Sequence, residues 1–298
     1  MLSHCGLYFT DTHIHAARKE QAREPLRSAW SLLRKTPPAE ALPLLVSSGL
    51  RWRFDDDREA GLRAAALLAE SVFPAGGDFE SLRTLAALGQ SFEMLRPLLP
   101  PEAQSRWAQA FAGHVAALPA SAAYHERVWR LLLDLIAAIV CDDTQPFPAI
   151  AESFRRSVRE DIHPDGYVRP AVEEQPEGSY LRHIACTQAL VLLAEAGQHA
   201  GLDLWRYEHR GVSVVTAVAY PLYYYYFPQK WRWFPHLSEE EAQSAFRQHG
   251  GFLEIVQRQR PLHDIGLLLK EWRPLWDICG GGLTTLTHAA PSKRRLFG

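Results

Sequence analysis

Apolar residues recur every three or four positions along almost the whole chain. This spacing places them on one face of an α-helix, so the sequence predicts an all-α protein. Prolines and glycines separate the periodic segments and mark the turns between helices. The predicted helices span residues 16–34, 40–50, 57–72, 80–96, 101–118, 125–140, 147–160, 180–199, 211–225, 238–258 and 263–270.

Candidate strands are confined to the region of residues 167–168 and to the Gly-rich segment 277–298. An alternating order of strands and helices is missing, which argues against an extended parallel sheet or a barrel of eight strands. No sequence repeat of fixed length is present, so a helical solenoid is the less favoured architecture.

The predicted helices fall into two kinds. Segments 127–140 and 180–197 are apolar almost all the way round, which indicates burial on every side. Segments 16–34 and 238–258 carry one polar face and are expected on the outside. Buried helices paired with half-exposed ones predict an incomplete (α/α) toroid of inner and outer helices.

The composition permits a single large core. With 298 residues and 47% hydrophobic content, the chain is expected to form one domain over residues 1–298, with 277–298 as a Gly-rich loop and tail. The formal charge of -2 gives no electrostatic case for nucleic acid or an anionic membrane. The four cysteines are scattered and are expected to be free.

No apolar run reaches the roughly 18 residues of a membrane span, and the first ten residues lack the features of a signal peptide. As written, the chain is expected to be cytoplasmic. It would be periplasmic or secreted if the N-terminus were truncated.

The stretch "FTDTHIHAA" raises the question of a metal site. On a strand, Asp11, His13 and His15 would share one face and resemble the ligands of metal-dependent barrels. Because the barrel is missing, we interpret Thr10 or Asp11 as the N-cap of a helix, on which the two histidines point in different directions. No metal and no cofactor are expected.

Two other motifs receive structural interpretations. Asp55, Asp56 and Glu59 match the D-D-x-x-E motif of helical isoprenoid synthases. That chemistry needs a second acidic site, and the other candidate, "CDDTQP", runs into Pro146 and cannot continue as a helix. The segment "DICGGGLTTLTHA" lacks the spacing of a phosphate-binding loop.

Two segments carry a family resemblance. "FPAIAESFRRSVREDIHPDGYVRPAVEE" (147–174) is followed by "SYLRHIACTQALVLLAEAGQHAGLDLW" (179–205), and "AYHERVWRLLLDLIAAIVCDD" (123–143) precedes both. Together they resemble the central part of the alginate lyase family. The resemblance implies an α/α toroid that cleaves uronate polysaccharides by β-elimination, with an anionic polysaccharide or oligosaccharide as partner.

This elimination needs three kinds of group. A base removes the proton on C5, a cation or amide neutralises the adjacent carboxylate, and an acid protonates the leaving O4. The resemblance assigns His125 and His183 to family histidines. Tyr124 replaces the asparagine expected before the first histidine. Arg182 occupies the position of the expected catalytic tyrosine, and the expected loop arginine falls near Gln175.

The candidate catalytic residues are therefore expected to converge around one cavity. In this prediction Arg182 neutralises the substrate carboxylate and a histidine acts as base. Tyr124 or Tyr180 supplies the proton for the leaving oxygen. The full candidate set is Tyr124, His125, Tyr180, Arg182 and His183.

The most aromatic stretch, "YPLYYYYFPQKWRWFPH" (220–236), is the candidate substrate-binding segment. Aromatic rings can floor a sugar cleft, and neighbouring cations can meet carboxylates. The candidates in this segment are Tyr224, Lys230, Trp231, Arg232 and Trp233.

Two alternative functions remain. One is a non-catalytic carbohydrate-binding protein that keeps the toroid. The other is a glycoside hydrolase, which would need two carboxylates facing one cleft. The nearby acidic candidates are Glu126, Asp134, Glu173 and Glu177.

Overall fold

A computed structural model describes residue 2 and residues 4–291. Within them it contains α-helices joined by short turns and isolated bridges, and no strand, which confirms the all-α prediction. The helices are α1 (Asp11–Lys19), α2 (Leu26–Leu33), α3 (Ala41–Asp55), α4 (Arg58–Glu70), α5 (Phe79–Leu95), α6 (Pro101–Ala117), α7 (Tyr124–Val140), α8 (Phe147–Arg156), α9 (Arg169–Glu173), α10 (Ser179–His199), α11 (Val214–Tyr226), α12 (Glu239–His249), α13 (Phe252–Gln259), α14 (His263–Trp272) and α15 (Thr284–His288).

Two predicted helices are each divided in the structure. The segment 16–34 contains Pro25, which lacks a backbone N–H and stands between α1 and α2. The segment 238–258 is broken at Gly250 and Gly251, between α12 and α13. A Cβ at Gly251 would lie 2.2 Å from the Cβ of Asp277, so the close approach of these two backbones requires glycine.

The second half of that segment corrects the sequence prediction. α12 presents a polar face to solvent, but α13 is buried over residues 252–256. A continuous helix over 238–258 had appeared to carry one polar face, whereas the break allows the two halves to bury different faces.

The N-terminal helix begins where the sequence predicted. Thr10 is the N-cap of α1, and its side chain and that of His13 form a reciprocal capping box. Asp55 and Asp56 pair with Arg34 and Arg18, respectively. These aspartates are thus engaged in ion pairs on the surface.

The C-terminal segment is more ordered than its glycine content indicates. α15 follows a turn in which Asp277 and Gly282 form an isolated bridge. Of the predicted Gly-rich loop and tail, residues 292–298 lie outside the described residues.

The long helices form two layers, as predicted for an (α/α) toroid. α3, α5, α7, α10 and α13 pack in succession, and α4 and α6 flank them. α10, with 17 of its 21 residues buried, and α5, with 12 of 17, are the most buried of the long helices. α7 has 10 of 17 residues buried and contacts both of them, so 127–140 and 180–197 take the predicted inner positions, although α7 keeps one partly exposed face. The short helices α15 and α1 contact one another, and α1 contacts α3, so short elements occupy the remaining part of the ring.

The inner helices run parallel and in register. The Trp129 indole in the second turn of α7 donates a hydrogen bond to the carbonyl of Ala185 in the second turn of α10, at 2.9 Å. Between α5 and α7, Gly89 permits close packing because a Cβ there would lie 2.4 Å from Ile136. The amino ends of α5, α7 and α10 therefore meet at one end of the ring.

No helix among the described residues combines the length and the apolar character that a membrane span requires.

Candidate functional site

The amino ends of the inner helices bring together a group of rings that we call the Phe79 cluster. The Phe79 ring at the start of α5 lies 5.5 Å from the His125 ring and 5.6 Å from the His249 ring, centre to centre. The Arg83 guanidinium lies 5.5 Å from the centre of the Phe79 ring. The members of the cluster are Phe79, Arg83, His125, Trp129 and His249.

His125 occupies the first turn of α7 and is partly exposed. Burial lowers the pKa of His125, with a smaller opposing effect from Glu126 and a further lowering by Arg182. Its Nδ1 is buried and has no hydrogen-bond partner. The ring is therefore neutral at neutral pH, as a general base must be.

His249 and Arg83 complete the polar part of this cluster. Burial, with the Arg83 charge second, lowers the pKa of His249 to about 3, and its Nδ1 is buried without a partner. Arg83 pairs with Glu80 at 3.0 Å and has only 13% of its side chain exposed. This cation places positive charge beside the neutral imidazole of His249.

Tyr124 precedes His125 but is committed to other partners. Its hydroxyl donates to Asp161 at 2.6 Å and lies 3.4 Å from the Ser157 hydroxyl. Burial is the main cause that raises the pKa of Tyr124 well above its usual value. The phenol holds its proton in a buried hydrogen bond.

Arg182 anchors the loop before α10. Its guanidinium donates to the carbonyl of Ala171 at 3.1 Å, to that of Glu177 at 2.7 Å and to that of Gln175. The side chain thus reaches the loop position where the family resemblance expected an arginine. These backbone contacts occupy the donors that were predicted to neutralise a substrate carboxylate.

Tyr180 and His183 lie on a different face of α10 from Arg182. The Tyr180 hydroxyl donates to the carbonyl of Pro221 at 3.0 Å, and burial raises the pKa of Tyr180. His183 is fully buried, and burial lowers its pKa to about 4. Its ring stacks on Tyr220 with 5.7 Å between centres.

The second group of rings surrounds Tyr220, and we call it the Tyr220 cluster. A hydrogen bond of 3.1 Å joins the hydroxyls of Tyr220 and Tyr224. The Tyr220 ring also packs against the rings of Tyr167 and Trp233. The members of the cluster are Tyr167, His183, Tyr220, Tyr224, Trp231 and Trp233.

The predicted substrate-binding residues have different surroundings. Trp231 is buried, and its indole donates to the Ser179 hydroxyl at 2.8 Å. Arg232 is exposed and lies 4.4 Å from the centre of the Tyr167 ring and 4.2 Å from that of Trp233. Lys230 is exposed and donates to the Tyr223 hydroxyl at 2.6 Å.

A pocket of about 380 Å³ opens beside this segment, lined in part by Tyr180 and Trp231. Glu240 and Glu241 also line it. Two carboxylates make this pocket unsuited to an anionic sugar chain, because like charges repel at short range.

The structure divides the predicted catalytic residues between these regions. Tyr124, His125 and Arg182 lie at the amino ends of α7 and α10, where Glu174 approaches all three. Tyr180 and His183 belong with the aromatic rings on the other side of α10. The expected single cavity containing all five is not formed by these contacts, and their catalytic roles stay predictions.

Sequence reasoning missed Phe79, Arg83 and His249. Phe79 and Arg83 lie in a helix whose periodicity showed only burial, and His249 ends a helix that was predicted to continue. The glycine pair after His249 was the available signal of a break. Tyr220 opened the aromatic segment but was not singled out.

A separate group could hold a metal ion. The sequence prediction considered His13 only with its neighbours Asp11 and His15. In the fold, ligand atoms of His13, Glu195 and His199 lie within 4.8 Å of one another. This group lies at the carboxyl end of α10, far along the helix from Arg182.

Comparisons with known structures report the same fold. Alginate lyase A1-III from Sphingomonas species A1 is similar over 90% of this chain and 79% of that chain, with a TM-score of 0.66 and 16% identity. An A1-III variant with histidine replaced by alanine, complexed with a tetrasaccharide, gives a TM-score of 0.67 and 16% identity over 91% of this chain and 78% of that chain.

An alginate lyase from Bacteroides ovatus is similar over 96% of this chain and 99% of that chain, with a TM-score of 0.70 and 11% identity. A comparison with curated protein sequences gives no significant match. The family model described as alginate lyase matches residues 81–231, just over half of the 298 residues. The chain therefore belongs to the alginate lyase family.

Proposed function

We propose that this protein is a polysaccharide lyase that cleaves a uronate-containing chain by β-elimination, with His125 as the base. The observation that carries the proposal is the setting of His125. It is a partly exposed imidazole with a lowered pKa and an unpartnered Nδ1, at the end of the ring where inner helices begin.

The reaction follows from this setting. Neutral His125 takes the C5 proton of the uronate, and the electrons of the C5–H bond form a C4=C5 double bond. The C4–O4 bond breaks, and O4 leaves with its electron pair. The imidazolium then returns the proton to O4, so one histidine acts first as base and then as acid.

The carboxylate of the uronate gains charge as the proton leaves. The Arg182 charge acts on His125, and the Arg83 guanidinium lies against Phe79, which also contacts His125. The amino ends of α5 and α7 add the positive ends of their helix dipoles. These groups stabilise the developing charge in the elimination step.

The class of ligand is inferred from a relative. A variant of alginate lyase A1-III was complexed with a tetrasaccharide, and that protein shares this fold. We propose an anionic oligosaccharide or polysaccharide as the ligand here. The exposed Arg232, which lies against two aromatic rings, suits a carboxylate further along the chain.

A second candidate function is non-catalytic carbohydrate binding. The Tyr124 hydroxyl donates to Asp161, and the Tyr180 hydroxyl donates to a backbone carbonyl. Arg182 donates to carbonyls of the loop before α10. These structural contacts occupy groups that the elimination would need, which favours binding without cleavage. In this alternative the toroid keeps its sugar-binding surface without cleaving the chain.

The hydrolase alternative has less support. Glu126 and Asp134 line a pocket of about 320 Å³, but Glu126 accepts a hydrogen bond from Ser121 and Asp134 pairs with Arg130. A hydrolase needs one carboxyl group free to protonate the leaving oxygen and another free to activate water.

The test incubates the protein with a panel of uronate polymers and follows ultraviolet absorbance of the 4,5-unsaturated product. We expect absorbance to rise with at least one polymer, and His125→Ala to lower the rate at least about 100-fold. An exposed control, His263→Ala, should keep the wild-type rate.

Calorimetry on the same panel of polymers measures binding and distinguishes the candidate functions. If the protein binds one or more of the polymers but yields unsaturated product from none of them, the lyase proposal is contradicted and the non-catalytic function is supported. New reducing ends without ultraviolet absorbance support hydrolysis instead.

A further inference from the structure

Three histidines and one glutamate meet where the two ends of the chain approach the carboxyl end of α10. Ligand atoms of His13, Glu195 and His199 lie within 4.8 Å of one another, and His288 Nε2 lies 3.6 Å from Glu195 Oε1; we call these four residues the histidine cluster. His13 lies on α1, Glu195 and His199 on α10, and His288 ends α15. The proposed lyase reaction uses none of them.

His13, Glu195 and His288 are buried, His199 is partly buried, and several of the atoms that face one another have no hydrogen-bond partner. Glu195 is 0% exposed and His288 1% exposed. Glu195 Oε1, His13 Nε2 and His288 Nε2 are buried without a hydrogen-bond partner. Unpartnered polar atoms in an interior cost free energy, so several in one place call for a ligand that satisfies them together.

Two of the separations are close to those of ligands around one ion. Glu195 Oε1 lies 3.4 Å from His199 Nε2 and 3.6 Å from His288 Nε2. Bonds of 2.0–2.1 Å to a tetrahedral zinc ion place neighbouring ligand atoms about 3.3 Å apart. The observed distances are long for charge-assisted hydrogen bonds, which are typically about 2.7–2.9 Å.

Two histidines are held in the tautomer that a metal needs. His199 Nδ1 lies 3.1 Å from the Leu7 carbonyl, which can only accept, so its proton is on Nδ1. His288 Nδ1 lies 2.6 Å from the Thr287 hydroxyl oxygen, and that hydroxyl donates to a carbonyl. In the neutral rings, the Nε2 atoms of both histidines therefore carry the lone pair, and both face Glu195.

The carboxylate is oriented in the same way. Glu195 Oε2 accepts hydrogen bonds from the Trp205 indole and the Gln259 amide, each at 2.9 Å. These two donors fix the group so that Oε1 faces the histidines. Such supporting hydrogen bonds are typical of residues around a metal.

His13 must change its protonation to take part. Its Nδ1 accepts the backbone N–H of Thr10 at 3.1 Å, which places the proton of the neutral ring on Nε2. The Thr10 hydroxyl oxygen lies 3.0 Å from the same Nδ1 and can accept a proton moved there. Coordination through Nε2 would move the proton to Nδ1, so that the hydrogen bond from the Thr10 N–H is lost and one from Nδ1 to the Thr10 hydroxyl oxygen replaces it.

We propose that the histidine cluster binds one divalent transition-metal ion, zinc being the ion that three imidazoles and one carboxylate suit best. A closed set of four protein ligands makes it a structural site. The ion would join α1, α10 and α15, and so tie the first and last helices to the centre of the ring. The Arg258 charge acts on His13 and interacts with Glu195, and it opposes the binding of a cation there.

The experiment uses the full chain, freed of metal by dialysis against a chelator. CoCl₂ is then titrated while visible absorption is recorded, because tetrahedral cobalt absorbs far more strongly than octahedral cobalt. ZnCl₂ is added in competition, and metal content is measured by mass spectrometry. We expect one equivalent of cobalt with tetrahedral bands, displaced by one equivalent of zinc, and a rise in Tm with zinc.

Two ligand variants and one control locate the ion. Glu195→Gln and His288→Gln should lower zinc affinity at least about 10-fold, since even outer partners of a ligand contribute that much. His15→Ala removes an exposed histidine of the same helix α1 and should leave the titration unchanged.

Octahedral cobalt bands, or less than one equivalent of bound cobalt, would overturn the site. A loss of zinc affinity in His15→Ala equal to that in the ligand variants would overturn it as well. If the ligand variants fail to fold, the wild-type titration decides alone, because its stoichiometry and band intensity do not depend on them. The result is independent of the proposed lyase activity.

Discussion

The two ends of α10 carry similar residue types in opposite settings. At its amino end, Arg182 lies near a histidine of α7 that is partly exposed and has an unpartnered nitrogen. At its carboxyl end, Glu195 and His199 are covered and face two further histidines.

The difference shows that surroundings, more than residue type, decide what an imidazole can do. A neutral ring that solvent or substrate can reach is suited to moving protons. A ring locked in one tautomer beside a buried carboxylate is suited to holding charge or a metal. The following variants separate these two roles, beginning with the largest expected effect.

Glu195→Ala should lower the free energy of unfolding by about 2–6 kcal/mol, because the Trp205 indole and the Gln259 amide each lose their acceptor at about 1–3 kcal/mol. Urea unfolding followed by circular dichroism measures the change. Glu70→Ala, at an exposed position, should stay within about 0.5 kcal/mol of wild type.

His183→Gln tests a buried histidine near the other end of the helix. The folded-state pKa of about 4 lies below the ordinary 6.5, so protons favour the unfolded chain. The stability from neutral His183 is present above about pH 6.5 and is lost as pH falls towards 4.

Between pH 7.5 and pH 4.5, wild type should therefore lose about 2–3 kcal/mol more than His183→Gln. Unfolding in urea at both pH values gives the comparison. The exposed variant His263→Gln should follow wild type. Equal pH dependence in wild type and His183→Gln would contradict the burial of a neutral ring.

Arg182→Ala should destabilise the protein by about 1–3 kcal/mol and expose the loop before α10 to proteolysis, because three carbonyls lose a charged donor. Limited proteolysis with mass spectrometry would locate the cleavage. Arg206→Ala, with 82% of its side chain exposed, is the matched control. An unchanged loop would show that Arg182 does not anchor it.

Arg232→Ala should give the smallest effect, a roughly 1.4- to 5-fold weaker affinity for an anionic oligosaccharide, because exposed charge pairs contribute about 0.2–1 kcal/mol. Calorimetry at low salt measures it, and Arg206→Ala serves again as control. Unaltered affinity would remove Arg232 from the ligand surface.

Much of the fold could be predicted because helix periodicity is local. The bounds of α7 and α10 match the predicted segments within one residue at each end. Prediction failed where one residue overrides the pattern, as at Pro25, or where a glycine pair lets two halves bury different faces, as before α13.

The sites were harder to predict because they join distant segments. Successive helical residues point about 100° apart, which separates Arg182 from His183 although they are neighbours in sequence. His13 and His288 come from opposite ends of the chain, and no local pattern could bring them to Glu195. Only the closure of the ring does so.

The most direct test of the account is the pH dependence of kcat/KM, measured by ultraviolet absorbance, for wild type and His125→Gln. The account predicts that wild-type activity falls as pH drops through the pKa of His125, which burial holds below 6.5. The variant should be at least about 100-fold slower and lose this acid limb. A variant that keeps the wild-type rate and the same acid limb would contradict His125 as the base.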